Sequence, residues 1–108
     1  MMRGDLVTIA VQGDFGKPRP ALVIQANPFN VHESLTVLPV TNTLVNAPLL
    51  RIDLAPDTGN GLKRKSQVVV DKALNVRRTK VGPVIGCINA DAQVAVDRCL
   101  AVFLGIAK

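Results

Sequence analysis

The sequence predicts a small, mainly β domain in which antiparallel strands form a partly closed sheet, followed by one C-terminal helix. Three observations predict it. Short runs rich in β-branched residues recur up to Cys87, each bounded by Gly, Pro, Asn or Asp. No helical crossover separates these runs, which favours antiparallel pairing over a βαβ arrangement. The last stretch then changes its apolar period from that of a strand to that of a helix. At 108 residues, 48% of them hydrophobic, the chain is read as one domain over 1–108 with enough apolar side chains for a core.

The elements follow in order. Gly4 to Val11 reads as a first strand, its apolar residues interleaved with Asp5 and Thr8. Gln12 to Pro18 is a loop by its Gly, Pro and Asp content. Arg19 to Gln25 contains the apolar run Ala21 to Ile24 expected of a fully buried strand. Ala26 to Ser34 is a polar connection, and Leu35 to Val40 is the next strand. Thr41 to Pro48 reads as an ordered loop, followed by a strand around Leu49 to Leu54. Ala55 to Lys65 carries the strongest turn signal, with Gly59 and Gly61 able to take positive φ. Ser66 to Asp71 is a β-branched strand, and Val81 to Cys87 is a shorter one interrupted by Pro83. Ala92, Val96, Cys99, Leu100 and Phe103 then share one helical face; Asn89 or Asp91 can cap its start and Gly105 can end it.

Composition bounds the function. No apolar stretch approaches the roughly 18 to 20 residues of a membrane span, and Met-Met-Arg-Gly-Asp opens no secretory signal, so a cytoplasmic protein without membrane association is expected. Cys87 and Cys99 form no CxxC pair and His32 lies far from both, which argues against a zinc site. They read as reduced core hydrophobes, with a disulfide as the other reading. Thirteen Lys and Arg against eight Asp and Glu leave a formal charge of +5, which suits a polyanionic partner. With no Trp or Tyr and only Phe15, Phe29 and Phe103, the chain cannot build a multi-aromatic base-stacking platform. RNA, if it binds, is held mostly by polar and charged groups.

The segment Gly16-Lys17-Pro18-Arg19-Pro20, followed by Ala21 to Gln25, resembles the Gly-x-x-Arg-Pro signature of the MazF/PemK toxins. Arg3 to Val7 is similar to that family's opening strand, and Thr36 to Thr41 to the strand that ends in its Thr or Ser. Leu62 to Asp71 resembles its Leu-x-x-x-Ser strand, while Val81-Gly82 and Leu104 to Ile106 complete the order. The resemblance spans almost the whole chain. It implies an SH3-like barrel of antiparallel strands with a C-terminal helix, a homodimer, and a sequence-selective endoribonuclease acting on single-stranded RNA. It also implies a cognate antitoxin whose disordered tail blocks the active site. Asp71 stands where some relatives carry an acidic residue, but Val69 replaces the Arg two positions before it, and Lys72 replaces a common Gln. These departures favour a site built on Arg and Thr.

RNA carries its own nucleophile, the 2′-OH, so cleavage needs no metal and no cofactor. It needs removal of the 2′-OH proton, stabilisation of charge at phosphorus, and a proton for the departing 5′-oxygen. Arg19, at a loop-to-strand junction, matches phosphate geometry and stays charged, which suits a clamp better than a base. Thr41 is expected to donate its hydroxyl to a phosphate oxygen; its alternative is to cap local backbone. Phe15 and Lys17 are candidates for stacking a base and pairing a phosphate, with a core position the other reading of Phe15. Asn42 and Thr43 are candidates for reading base edges, and Asp71 and Lys72 complete the expected substrate-binding set. His32 reads as an ordinary exposed histidine. The clusters Lys63-Arg64-Lys65 and Arg77-Arg78-Lys80 are either solvated turns or backbone contacts for RNA.

Two rivals remain. Phe103-Leu104-Gly105-Ile106 is similar to the chain end of the CcdB toxins, which share the fold and poison DNA gyrase, although Trp is absent here. The other is a non-catalytic SH3-like binding module, against which the scarcity of aromatics argues.

Overall fold

The computed structural model describes residues 1–10 and 17–108. Its strands are β1 (Asp5–Ile9), β2 (Arg19–Val23), β3 (Ser34–Thr41), β4 (Arg51–Leu54), β5 (Ser66–Val69), β6 (Leu74–Arg77) and β7 (Val81–Cys87), followed by helix α1 (Ala90–Phe103). They form an antiparallel sheet in the order β4-β5-β3-β2-β1-β7, with β6 also on β3. Strand β3 is the hub because its eight residues serve two partners in succession. Ser34 to Val37 pair with β6, and Val40 and Thr41 pair with β5. Strand β2 pairs with β3 through Val37 to Pro39.

Strands β1, β2 and β3 alternate with period two, yet both of their faces are buried. Leu6, Leu22, Leu38 and Val40 point toward Val96 and Leu100 of α1. Val7, Ile9, Ala21, Val23, Leu35, Val37 and Val76 fill the opposite side. This explains the unbroken apolar run of β2, since a strand covered on both faces has no polar side to show. Burial of Val96 and Leu100 contributes roughly 1.5 to 3 kcal/mol each. The helix starts where Asn89 Oδ1 accepts from the Ala92 N–H at 2.8 Å. It stops at Gly105, whose φ of 76° allows a Schellman turn with Ile106 N–H on Ala101 O at 2.8 Å. Arg3 ties the first turn to the helix, donating from Nε to Ile24 O and from Nη2 to Asp97 at 2.8 Å.

The sheet is open between β4 and β7, and the turn-rich 55–65 segment covers part of that opening. Asp57 Oδ1 accepts from the Gly59 and Asn60 N–H groups at 2.8 and 2.7 Å, while buried Asn60 donates to Ala55 O. The turn so formed lets Gly59 O accept from Cys87 N–H at 2.9 Å. A side chain at Gly86 would meet Gly59 O at 2.4 Å, so glycine there permits the approach.

Four details differ from expectation. Strand β6 is additional: its Leu74-Asn75-Val76-Arg77 alternation is only four residues long and lies between two 3-10 turns. Leu49 and Leu50 belong to the turn before β4, where Leu50 N–H bonds Ala47 O. Pro83 does not break β7, because register shifts against β1 flank the Val7–Val84 pair and remove the need for its missing N–H. Cys87 and Cys99 are both free thiols, but Cys87 is exposed at the strand's end rather than in the core. Among the described residues, no helix is long and apolar enough to cross a membrane.

Candidate functional site

The end of β3 meets the start of β2 over a groove of about 610 Å³. Arg19 and Pro20 form one side, with Ile9 of the neighbouring β1 at the base. Pro39 to Thr43 form the next side, and Leu62, Lys63 and Arg64 of the β4–β5 loop face into the same space. Among the described residues that line it, Arg19, Lys63 and Arg64 are cationic and none is acidic. In an open groove with partly apolar walls, that set attracts an anion.

Local structure explains each position. Arg19 opens β2 directly after Pro18, exposed at the rim, while its strand descends into the buried Ala21 to Val23. Thr41 closes β3 in register with Gln67 of β5. Its Oγ1 accepts from the Thr43 N–H at 3.0 Å, which is the local backbone-capping role. The accepted bond occupies one lone pair and orients the hydroxyl, whose proton goes to no acceptor among the described residues. Asn42 and Thr43 follow, both exposed and lining the groove.

The other expected site residues fall elsewhere. Phe15 lies outside the described residues. Lys17 is exposed just before β2 and does not line the groove. Half-buried Asp71 and exposed Lys72 sit on the 3-10 turn Val70–Lys72, which packs against α1 and adds neither side chain to the lining. His32 is exposed, with its ring edge-on to Phe29 at 5.4 Å between centroids. Of the two basic clusters, Lys63 and Arg64 enter the groove, whereas Arg77 and Arg78 line a different cleft with His32. Among the described residues, no three His, Cys, Asp or Glu side chains come together to hold a metal ion.

Several contributors were not read from the sequence. Ser66 is buried and its Oγ donates to Arg64 O at 2.9 Å, shaping the basic loop. Arg51 Nη1 donates to Thr43 O and to Gln67 Oε1, each at 3.1 Å. Gln67 is 6% exposed. Only the fold gives these residues a common destination; the available signal was a polar residue inside an otherwise apolar strand.

Comparison with known proteins agrees with this architecture. The family described as PemK-like, MazF-like toxin of type II toxin–antitoxin system matches residues 2–104. The probable endoribonuclease MazF of Mycolicibacterium smegmatis is 43% identical over 108 residues, covering 99% of each chain. The Mycobacterium tuberculosis toxin MazF-mt6 superposes with a TM-score of 0.82 at 19% identity, over 96% of this chain and 99% of that one. A mycobacterial endoribonuclease solved in complex with its cognate antitoxin gives a TM-score of 0.82 at 18% identity, over 100% and 98% of the two chains.

Proposed function

The chain belongs to the PemK-like, MazF-like family of type II toxin–antitoxin toxins, and we propose that its Arg19–Thr41 groove is where it cleaves single-stranded RNA. The activity is that of an endoribonuclease. The observation that carries the site is the meeting of Arg19, Thr41, Lys63 and Arg64 in one groove.

The RNA 2′-oxygen attacks the adjacent phosphorus while the bond from phosphorus to the 5′-oxygen breaks. The 2′-OH proton leaves, a proton reaches the 5′-oxygen, and the products carry a 2′,3′-cyclic phosphate and a 5′-hydroxyl. Arg19 clamps the phosphate as negative charge builds on its non-bridging oxygens. Thr41 donates its hydroxyl proton to one of those oxygens, held in direction by the Thr43 N–H. Lys63 and Arg64 pair flanking phosphates, and Asn42 and Thr43 meet the bases. Phe15 and Lys17, which precede Arg19 in the sequence, are further RNA contacts in this reading, and Asp71 and Lys72, outside the groove lining, contact RNA beyond it. The chemistry draws its nucleophile from the substrate and uses no metal or cofactor.

The same cationic groove suits an acidic segment of a cognate antitoxin, which would block RNA by occupying it. The working unit is a homodimer of one-domain chains acting on mRNA in the cytoplasm.

The test is incubation of the purified protein with long single-stranded RNA in excess EDTA, beside Arg19→Ala and Thr41→Ala. Discrete fragments are expected from the wild type, with rates reduced about 10²- to 10³-fold in each variant. Intact RNA across several sequences at high protein concentration would overturn the reading, and gyrase-dependent DNA breaks in its place would assign the protein to the gyrase poisons.

A further inference from the structure

We infer that Gln67 is a positioning residue for RNA cleavage, fixing through its side-chain amide the loop that follows Thr41 and, with it, the Thr41–Thr43 wall of the groove. The inference rests on the reading that Thr41 acts on the scissile phosphate. Residues 42–46 are all exposed, so no buried apolar side chain anchors this stretch. Its shape depends on hydrogen bonds, and these converge on Gln67. The amide oxygen accepts from Val45 N–H and Arg51 Nη1, each at 3.1 Å. The amide nitrogen donates to Val45 O at 3.0 Å and to Asp53 Oδ1 at 2.8 Å.

Two donors and two acceptor positions are all that a primary amide has, and every one is used. Burying an amide is unfavourable when its bonds are unmade, so a strand would ordinarily hold Val or Thr here. Strand formation does not require this amide. Two of its four bonds go to Val45 of a loop that carries no core residue, and a third goes to Arg51, which itself holds that loop through Thr43 O.

The chain of contacts ends at the reacting group. Gln67 pins both backbone groups of Val45, and Arg51, itself bonded to Gln67, pins Thr43 O at 3.1 Å. Thr43 in turn presents its N–H to Thr41 Oγ1 at 3.0 Å. Releasing Gln67 therefore frees the donor that orients the Thr41 hydroxyl, while the Thr41–Gln67 backbone register stays in place. Glutamate cannot substitute, since an ionised carboxylate has no donor for Val45 O and would face Asp53.

The experiment is a double-mutant cycle between Gln67→Met and Thr41→Ala, read as the single-turnover cleavage rate. Methionine keeps the length of the side chain and removes all four bonds. Gln67→Met is expected to slow cleavage about 10- to 30-fold in the wild-type background, and by no more than about twofold when Thr41 is already alanine. Amide exchange should rise at Thr43 and Val45 but not at Val40 or Val68 of the core ladder. Because Gln67 is buried, Arg51→Met runs beside it and is scored in the same way. A wild-type rate in both variants, or equal losses in the two Thr41 backgrounds, overturns the inference. Full activity of Thr41→Ala alone overturns the site reading itself, and the inference with it.

Discussion

Two basic clefts of similar size lie on this molecule, about 610 Å³ at the Arg19–Thr41 groove and about 680 Å³ beside Arg77, Arg78 and His32. Charge alone does not tell them apart, but hydrogen bonding does. In the second cleft the Arg78 guanidinium is committed to the backbone carbonyls of Asn30 and His32, and Glu33 shares the lining. That arginine closes a loop. In the groove, Lys63 and Arg64 make no side-chain hydrogen bond or ion pair among the described residues, and no carboxylate lines the wall. Cations bonded to carbonyls hold the fold together, whereas Lys63 and Arg64 are the cations proposed to meet an anion in the groove.

The sharpest way to break this comparison is to remove one arginine from each cleft. Arg19→Ala should lower the RNA cleavage rate about 10²- to 10³-fold, the usual loss for a preorganised donor to a developing oxyanion. Arg77→Ala, in the other cleft, should stay within about twofold of wild type. Initial rates on one RNA, with folding checked by circular dichroism, decide it. Equal losses would mean that both clefts hold substrate.

Arg78→Ala tests the other half of the contrast. Losing two charge-assisted bonds to carbonyls of the 30–32 loop should destabilise the fold by about 1 to 3 kcal/mol. At this chain length that corresponds to a fall in Tm of roughly 4 to 8 °C for each kcal/mol. The rate per folded molecule should not change. Normal thermal stability with reduced RNA affinity would instead make Arg78 a phosphate contact.

The contrast was only half legible in the sequence. Two runs of three or four residues, Lys63-Arg64-Lys65 and Arg77-Arg78-Thr79-Lys80, look alike as strings. Which one meets Arg19 depends on the β4–β5 loop folding over the gap beside β7, a long-range event that local pattern does not record. Motif likeness names Arg19 and Thr41 as candidates, and cap chemistry at Asn89 and Gly105 gives the helix limits. Gln67 stayed hidden because buried polar residues look like surface residues in an alternating strand, and only the register against Thr41 and Asp53 reveals its reach. Asp71 joins the candidate set by its place in a motif, and the 3-10 turn Val70–Lys72 that holds it packs against α1, outside the groove lining.

The smallest expected effect sharpens the comparison most finely, because it asks whether Lys63 and Arg64 touch phosphate at all. Each cation that neutralises a phosphate releases counterions, so log K falls with log salt by about 0.7 for each contact on a single strand. Lys63→Ala or Arg64→Ala should therefore weaken RNA binding a few-fold and flatten that slope by about 0.7, with little change in single-turnover rate. Arg77→Ala should leave the slope as it was. Binding of a cleavage-resistant RNA carrying a 2′-deoxy nucleotide at the cut, titrated across salt concentrations, measures both quantities. A variant that weakens binding without altering the slope would show that Lys63 or Arg64 shapes the loop rather than pairing with the backbone. The anion site would then shrink to Arg19 and the Thr41 hydroxyl.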